Sequence, residues 1–169
     1  MVDWNDCRVL VTGGAGFIGS SFIRYLFEME SGARLINLDK LTYAGNLSTI
    51  EDLQENYSER YSFEKSDISD RKSIKRIFRK YEPDVVVNFA AESHVDRSFV
   101  RPNSFLETNV GGMGTLLDVA KEFWGADYGD KRFIQISTDK VYGDLGEKGK
   151  KDGFHESAKF DPSSLYAAS

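Results

Sequence analysis

The chain is poor in residues that tie a protein together covalently or through metal. It has one cysteine, Cys7, and two histidines, His94 and His155. A single cysteine excludes an internal disulfide and any cysteine-based metal site. The two histidines are too few and too far apart in sequence to gather an ion, so no metal is expected. No apolar run approaches membrane-spanning length, and the N-terminus lacks a leader-peptide pattern. The net charge is -5, which argues against nucleic acid as a partner, since a phosphate backbone calls for a basic face. These absences point to a cytoplasmic protein with no membrane partner. Its composition is ordinary, 40% hydrophobic and 29% charged, and 169 residues suffice for one domain with a core.

Glycine is present where it matters. The run Val11-Thr-Gly-Gly-Ala-Gly-Phe-Ile-Gly-Ser20 follows a short apolar stretch, Arg8–Val11, and opens the apolar-periodic segment Phe22–Phe27. Strand, tight turn and helix in that order present backbone N–H groups and a positive helix end to a pyrophosphate. Gly13, Gly16 and Gly19 stand three apart. Gly13 suits the tight turn, Gly16 a close approach of backbone to the ligand, and Gly19 close packing of the helix.

Strand-like and helix-like segments alternate along the rest. Strands are expected near 8–11, 34–38, 61–65, 85–89 and 132–137. Helices are expected near 17–29, 48–55 (capped by Ser48 or Thr49), 71–81, 104–124 and from about 163 onward. Val85–Phe89 is apolar enough to be buried on both faces. Cys7 reads as a small buried residue at a strand edge. The charge run Lys148–Asp152 reads as a mobile surface loop. Strict alternation implies an α/β doubly wound parallel sheet, with ligands beyond the carboxyl ends of the strands.

The residues at those strand ends are the candidate site. Asp39 closes the second strand about 20 residues past the glycine turn, where an acid can hold a ribose 2′-OH. An acid there repels a 2′-phosphate and favours NAD over NADP. The adjacent Lys40 pulls the other way. Asp67 and Ile68 follow the third strand. For Asp67 a cofactor contact and a helix-cap role shared with Asp70 stand even. Phe89, Ala90 and Ala91 follow the fourth, and the small alanines would let a cofactor lie against backbone. After the fifth come Thr138, Asp139 and Lys140, with Tyr166 near the start of the last helix.

The runs VTGGAGFIGS, LDKLTYAGNLSTI, NFAAESHVDRS, ETNVGGMGTLLDVA, QISTDKVYG and PSSLYAAS cover nearly the whole chain. Through them it resembles the extended short-chain dehydrogenases/reductases, and within these the dTDP-glucose 4,6-dehydratase family. The resemblance implies a Rossmann-like NAD domain and a nucleotide-sugar substrate. It also implies a three-stage reaction: C4 oxidation, loss of water across C5–C6, and hydride return to C6. Tyr166 would be the base that takes the 4-hydroxyl proton, and Asp139 the acid that protonates the departing 6-hydroxyl. Thr138 would hydrogen-bond near O4. Ser93 and Thr108 would lie at the sugar and cofactor positions, and His94 would shape the substrate pocket. Phe17, Ile18, Asp39, Lys40, Leu41, Thr42, Asp67, Ile68, Phe89, Ala90, Ala91 and Glu92 would contact the cofactor. The family's helices also imply a homodimer.

One departure stands out. The family usually carries Asp-Glu after the threonine, with the glutamate as base at C5; here the pair is Asp139-Lys140. That pair resembles CDP-glucose 4,6-dehydratases. Lys140 as base, Lys140 as an aid to Asp139, and altered chemistry all stay open. The chain stops at Ser169, one position before the lysine that partners the tyrosine in this superfamily. A fragment, 1–169, lacking a substrate-binding C-terminal lobe and inactive by itself, is therefore expected. A UDP-sugar 4-epimerase is the rival activity, and a non-catalytic NAD-binding protein is the rival if the chain ends natively at Ser169.

Overall fold

The computed structural model describes residues 4–29, 32–126, 128–145 and 153–169. The charge run Lys148–Asp152 lies outside them. Among the described residues five strands form one parallel sheet: β1 (Arg8–Thr12), β2 (Arg34–Asp39), β3 (Tyr61–Lys65), β4 (Val85–Asn88) and β5 (Arg132–Gln135). Their order is β3-β2-β1-β4-β5. The chain therefore winds outward from β1 in one direction, then returns to its other side at β4. The doubly wound architecture is as expected, and the reversal between β1 and β4 creates a crevice at the strands' carboxyl ends.

Alternate residues of each strand feed opposite faces of the sheet. Val9, Val11, Leu35, Val85 and Val87 pack with Ile23, Leu26 and Phe27 of α1 (Phe17–Glu28) and with Leu53 of α2 (Glu51–Asn56). Leu10, Ile36, Leu38 and Val86 pack on the other face. There they meet Ile74, Ile77 and Phe78 of α3 (Arg71–Tyr81) and Leu116, Val119 and Ala120 of α6 (Met113–Trp124). Both faces of β1 and β4 are thus covered, and both strands read as apolar runs.

Polar clasps fix the ends. Asp84 accepts from the backbone N–H and the guanidinium of Arg8 and from Lys131 Nζ, tying the starts of β1, β4 and β5. Trp124 donates its indole N–H to the Pro83 carbonyl at 2.8 Å. Cys7 is half-buried, and its thiol donates to the Trp4 carbonyl. Among the described residues no helix is long and apolar enough to cross a membrane.

The structure corrects four local expectations. The short helix after β2 divides into a 3-10 turn, Leu47–Thr49, and α2, and its cap is Asn46, whose side chain accepts from the Ser48 N–H. Strand β5 ends at Gln135 rather than at residue 137, because its neighbour β4 stops at Asn88. A helix absent from the sequence reading, α4 (Val95–Val100), follows the fourth strand's loop. The long helix is three pieces: α5 (Pro102–Phe105), a π-helical stretch Leu106–Gly112, and α6. The last helix, α7, spans Leu165–Ala168 and is capped by the Ser164 side chain.

Glu64 on β3 is the main polar link to α3. Burial raises its carboxyl, but hydrogen bonds from Arg76, Lys80 and Tyr81 outweigh that and hold it at about 2, against 4.5 ordinarily. A depressed carboxyl adds stability that is full above pH 4.5 and drains away as pH falls toward about 2. Glu64→Gln is expected to cost about 1–2 kcal/mol at pH 7. It should also flatten the acid limb of the stability–pH curve in denaturant titrations. An unaltered acid limb would show that the link contributes nothing.

Candidate functional site

The crevice at the β1/β4 reversal is a cleft of about 370 Å³. Its floor is the turn joining β1 to α1. Gly13 has φ +69°, and a Cβ there would stand 2.7 Å from the Ala90 N. A Cβ on Gly19 would run into the Gly13 carbonyl oxygen, so the helix start sits directly on the turn. Gly14, which the sequence reading passed over, is equally constrained: a side chain there would collide with the Asn37 amide. Gly16 is the N-cap of α1, with no side-chain cap bond and no acid in the first turn. The amide end of a 12-residue helix thus meets the cleft with no acid in its first turn. That arrangement suits a phosphate group.

Asp39 closes the next wall. It is 8% exposed, and its two oxygens accept from the Ala15 N–H at 3.0 Å and the Leu41 N–H at 2.7 Å. Leu41 pays for that contact with a left-handed backbone, φ +59°. Lys40 pairs with Asp67 at 2.5 Å, and Asp67 also accepts from the Ser69 N–H and hydroxyl. Burial raises the Asp67 carboxyl, but Lys40 and Ser69 more than offset this and leave it below the usual range. The helix cap of α3 is Asp70 alone. Asp67 is therefore free of that duty and faces the cleft.

The opposite wall is the loop after β4. Ala90, Ala91, Glu92 and Ser93 line the cleft, with Thr108 and Tyr166 behind them. The loop's shape is set by Asn109, which sequence reasoning missed. Its side-chain carbonyl accepts from the Glu92 N–H, and its amide donates to the Glu92 carbonyl and to Ser169 Oγ. The π-helical stretch carries both Thr108 and Asn109. Such extra-residue turns often re-aim side chains at functional sites. Its signal in the sequence was a lone asparagine in an apolar helix pattern. Across the mouth, Tyr43 lies under the Arg97 guanidinium at 3.9 Å and donates to Glu92 at 3.5 Å. Burial and the Glu92 charge push the Tyr43 phenol up, with Arg97 opposing.

Beneath the loops runs a polar ladder in register across three strands. Thr12 donates to the Asn88 side chain, and Asn88 donates to Gln135 at 2.7 Å. Gln135 leads to Ile136 and Ser137, which also line the cleft. Ser137 borders a second, more open hollow, shared with Thr138, Asp139, Ala167 and Ala168. Thr138 caps the 3-10 turn Asp139–Tyr142: its hydroxyl accepts from the Lys140 N–H and donates to Asp139 at 3.2 Å.

The cleft thus gathers Gly13, Gly16, Phe17, Ile18, Gly19, Asp39, Lys40, Thr42, Asp67, Ile68, Phe89 through Ser93, Thr108 and Tyr166. Thr138 and Asp139 stand in the adjoining hollow. Leu41 contributes its backbone to Asp39 rather than a wall, and His94 is exposed as the N-cap of α4. Lys140 is exposed beside Asp139 and lines neither space.

The strand order and the glycine-floored cleft define a Rossmann-like α/β protein. Residues 10–169 match the family model described as GDP-mannose 4,6 dehydratase, and the chain belongs to that family. It is 47% identical over 172 residues to the dTDP-glucose 4,6-dehydratase of Salmonella typhimurium, covering 96% of this chain and 47% of that protein. The crystal structure of the dTDP-glucose 4,6-dehydratase of Streptomyces venezuelae, with NAD bound, superposes with TM-score 0.82 at 41% identity, covering 95% of this chain and 47% of that one. The UDP-glucose 4-epimerase of Thermus thermophilus, a complex with NAD, superposes with TM-score 0.78 at 31% identity, covering 95% and 46%. The chain spans about half the length of the curated relatives it matches.

Gly13→Ala tests the floor of the cleft. The strained φ and the overlap with Ala90 are expected to cost about 2–4 kcal/mol. Denaturant unfolding measures this, and a loss below about 0.5 kcal/mol would contradict it.

Proposed function

We propose that this chain is the NAD-binding part of a nucleotide-sugar 4,6-dehydratase that converts dTDP-glucose to its 4-keto-6-deoxy product, its substrate lobe lying outside these residues. The single observation that carries the cofactor reading is the uncapped start of α1 over the Gly13 turn, with the Asp39 carboxylate on the neighbouring wall. Bound NAD would supply the acceptor and donor of hydride. The turn's amide groups would hold its pyrophosphate, and Asp39 has lone pairs left for a ribose diol. Ala90 and Ala91 leave room for a ring against backbone.

The chain's residues would then divide the proton work. Tyr166, half-buried with its ring edge-on to Phe105 at 6.4 Å between centroids, takes the proton of the sugar 4-hydroxyl. Thr138 orients that oxygen. Asp139 acts as the acid toward the departing 6-hydroxyl as water leaves. The C5 proton falls to Lys140 by its place directly after Asp139, with the side chain exposed beside that carboxylate. The support for this division is that Ser137 borders both the cleft that Tyr166 lines and the adjoining hollow that Thr138 and Asp139 line. A second copy of the chain fits the exposed apolar side chains of Phe99, Val100 and Val110.

The rival, a 4-epimerase, rests on the resemblance to the Thermus enzyme and needs the tyrosine but no acid for elimination. In the full natural protein, Asp139→Asn separates the two. The dehydratase reading expects a loss of about 100-fold or more in 4-keto sugar formation, seen by alkali-induced absorbance, with 4-hydroxyl oxidation retained. Retained turnover with epimer as product would establish the rival.

A further inference from the structure

The cleft's charge is lopsided. Among the described residues, three carboxylates, Asp39, Asp67 and Glu92, line it against one ammonium, Lys40. Lys40 follows Asp39 directly, beside the carboxylate on which a ribose diol would rest. A free cation there is what a 2′-phosphate needs. Lys40 is not free. Its Nζ lies 2.5 Å from Asp67 Oδ2, although the lysine side chain is 57% exposed. Asp67 is in turn held by the Ser69 N–H at 2.9 Å and the Ser69 hydroxyl at 2.8 Å, both on Oδ1. One carboxylate oxygen is thus anchored to backbone and the other holds the lysine.

We propose that Asp67 is a specificity-determining residue: by holding Lys40 it withdraws that cation from a 2′-phosphate, so that NAD is accepted and NADP rejected. Asp39 supplies the repulsion, and Asp67 removes the remedy. An acid beside a free lysine would discriminate weakly, since the ammonium would offset the acid's charge. An acid beside a lysine already neutralised discriminates fully. The inference rests on the dinucleotide reading above and goes beyond it, since that reading assigns Asp67 no part in the choice between the two cofactors.

The test is a double-mutant cycle on the full natural protein, reading equilibrium Kd for NAD and for NADP by calorimetry or protein fluorescence, without turnover. Asp67→Asn keeps an acceptor for Ser69 but releases Lys40. It is expected to narrow the NADP-to-NAD ratio of Kd values by about tenfold, the effect of one added ionic contact near a protein surface. Adding Lys40→Ala to Asp67→Asn restores a neutral pair and is expected to return the ratio toward the parent value. A ratio unmoved by Asp67→Asn, with both affinities falling together, would overturn the proposal and leave Asp67 a loop-shaping residue. A narrowed ratio that persists in the double variant would overturn it too, because the effect would not pass through Lys40. If the parent protein binds neither dinucleotide, the cofactor reading itself fails, an outcome distinct from these.

Discussion

The buried carboxylate of Asp39 is the contact on which the site's geometry turns. One oxygen holds the Ala15 N–H of the glycine turn, and the other holds the Leu41 N–H of the loop after β2. Two segments separated by the whole of α1 are thereby fixed to one group. The fixing has costs the chain accepts elsewhere. Leu41 takes a left-handed conformation, and Gly45 is bare because a Cβ there would stand 2.8 Å from Asp39 Oδ1. Carboxylate oxygens have about four lone-pair sites. Two amides therefore leave acceptor capacity facing the cleft, and a structural pin can serve a ligand as well.

The sheet places this pin where it is useful. Both faces are sealed by helices, so β1 and β4 are rigid, and the order reversal between them opens the crevice. The far wall is less regular. It depends on Asn109, which ties the Glu92 backbone to Ser169 and so links the loop after β4 to the end of α7, the helix that carries Tyr166. The π-helical stretch that turns Asn109 toward this loop also carries Thr108 to the cleft. One irregularity in a helix thus sets two walls.

Much of this was legible in the residues. β1 and β4 are continuous apolar runs, β2 is one broken by Asn37, and the glycine spacing with Asp39 closing β2 marks the cleft. What was hidden has physical reasons. In α4 only Ser98 is buried, while Val95, Phe99 and Val100 face outward, so no apolar stripe marks it as a helix. The π-helical stretch keeps enough apolar periodicity to read as continuous helix. Asn46, Ser48 and Thr49 are all good caps within four positions, and only the geometry chooses Asn46. Thr138 stood out in the sequence as a candidate, but not as the cap of its own 3-10 turn. His94 sits within a run that matches a family motif, yet the start of α4 leaves it exposed.

The claim that a dinucleotide lies across the β1/β4 crevice has a direct test in backbone amide hydrogen exchange, with and without NAD. The account predicts slowed exchange concentrated at residues 13–19, 39–45 and 90–93, with the face formed by α3 unaffected. Protection confined to other surfaces, or none at saturating NAD, would contradict it.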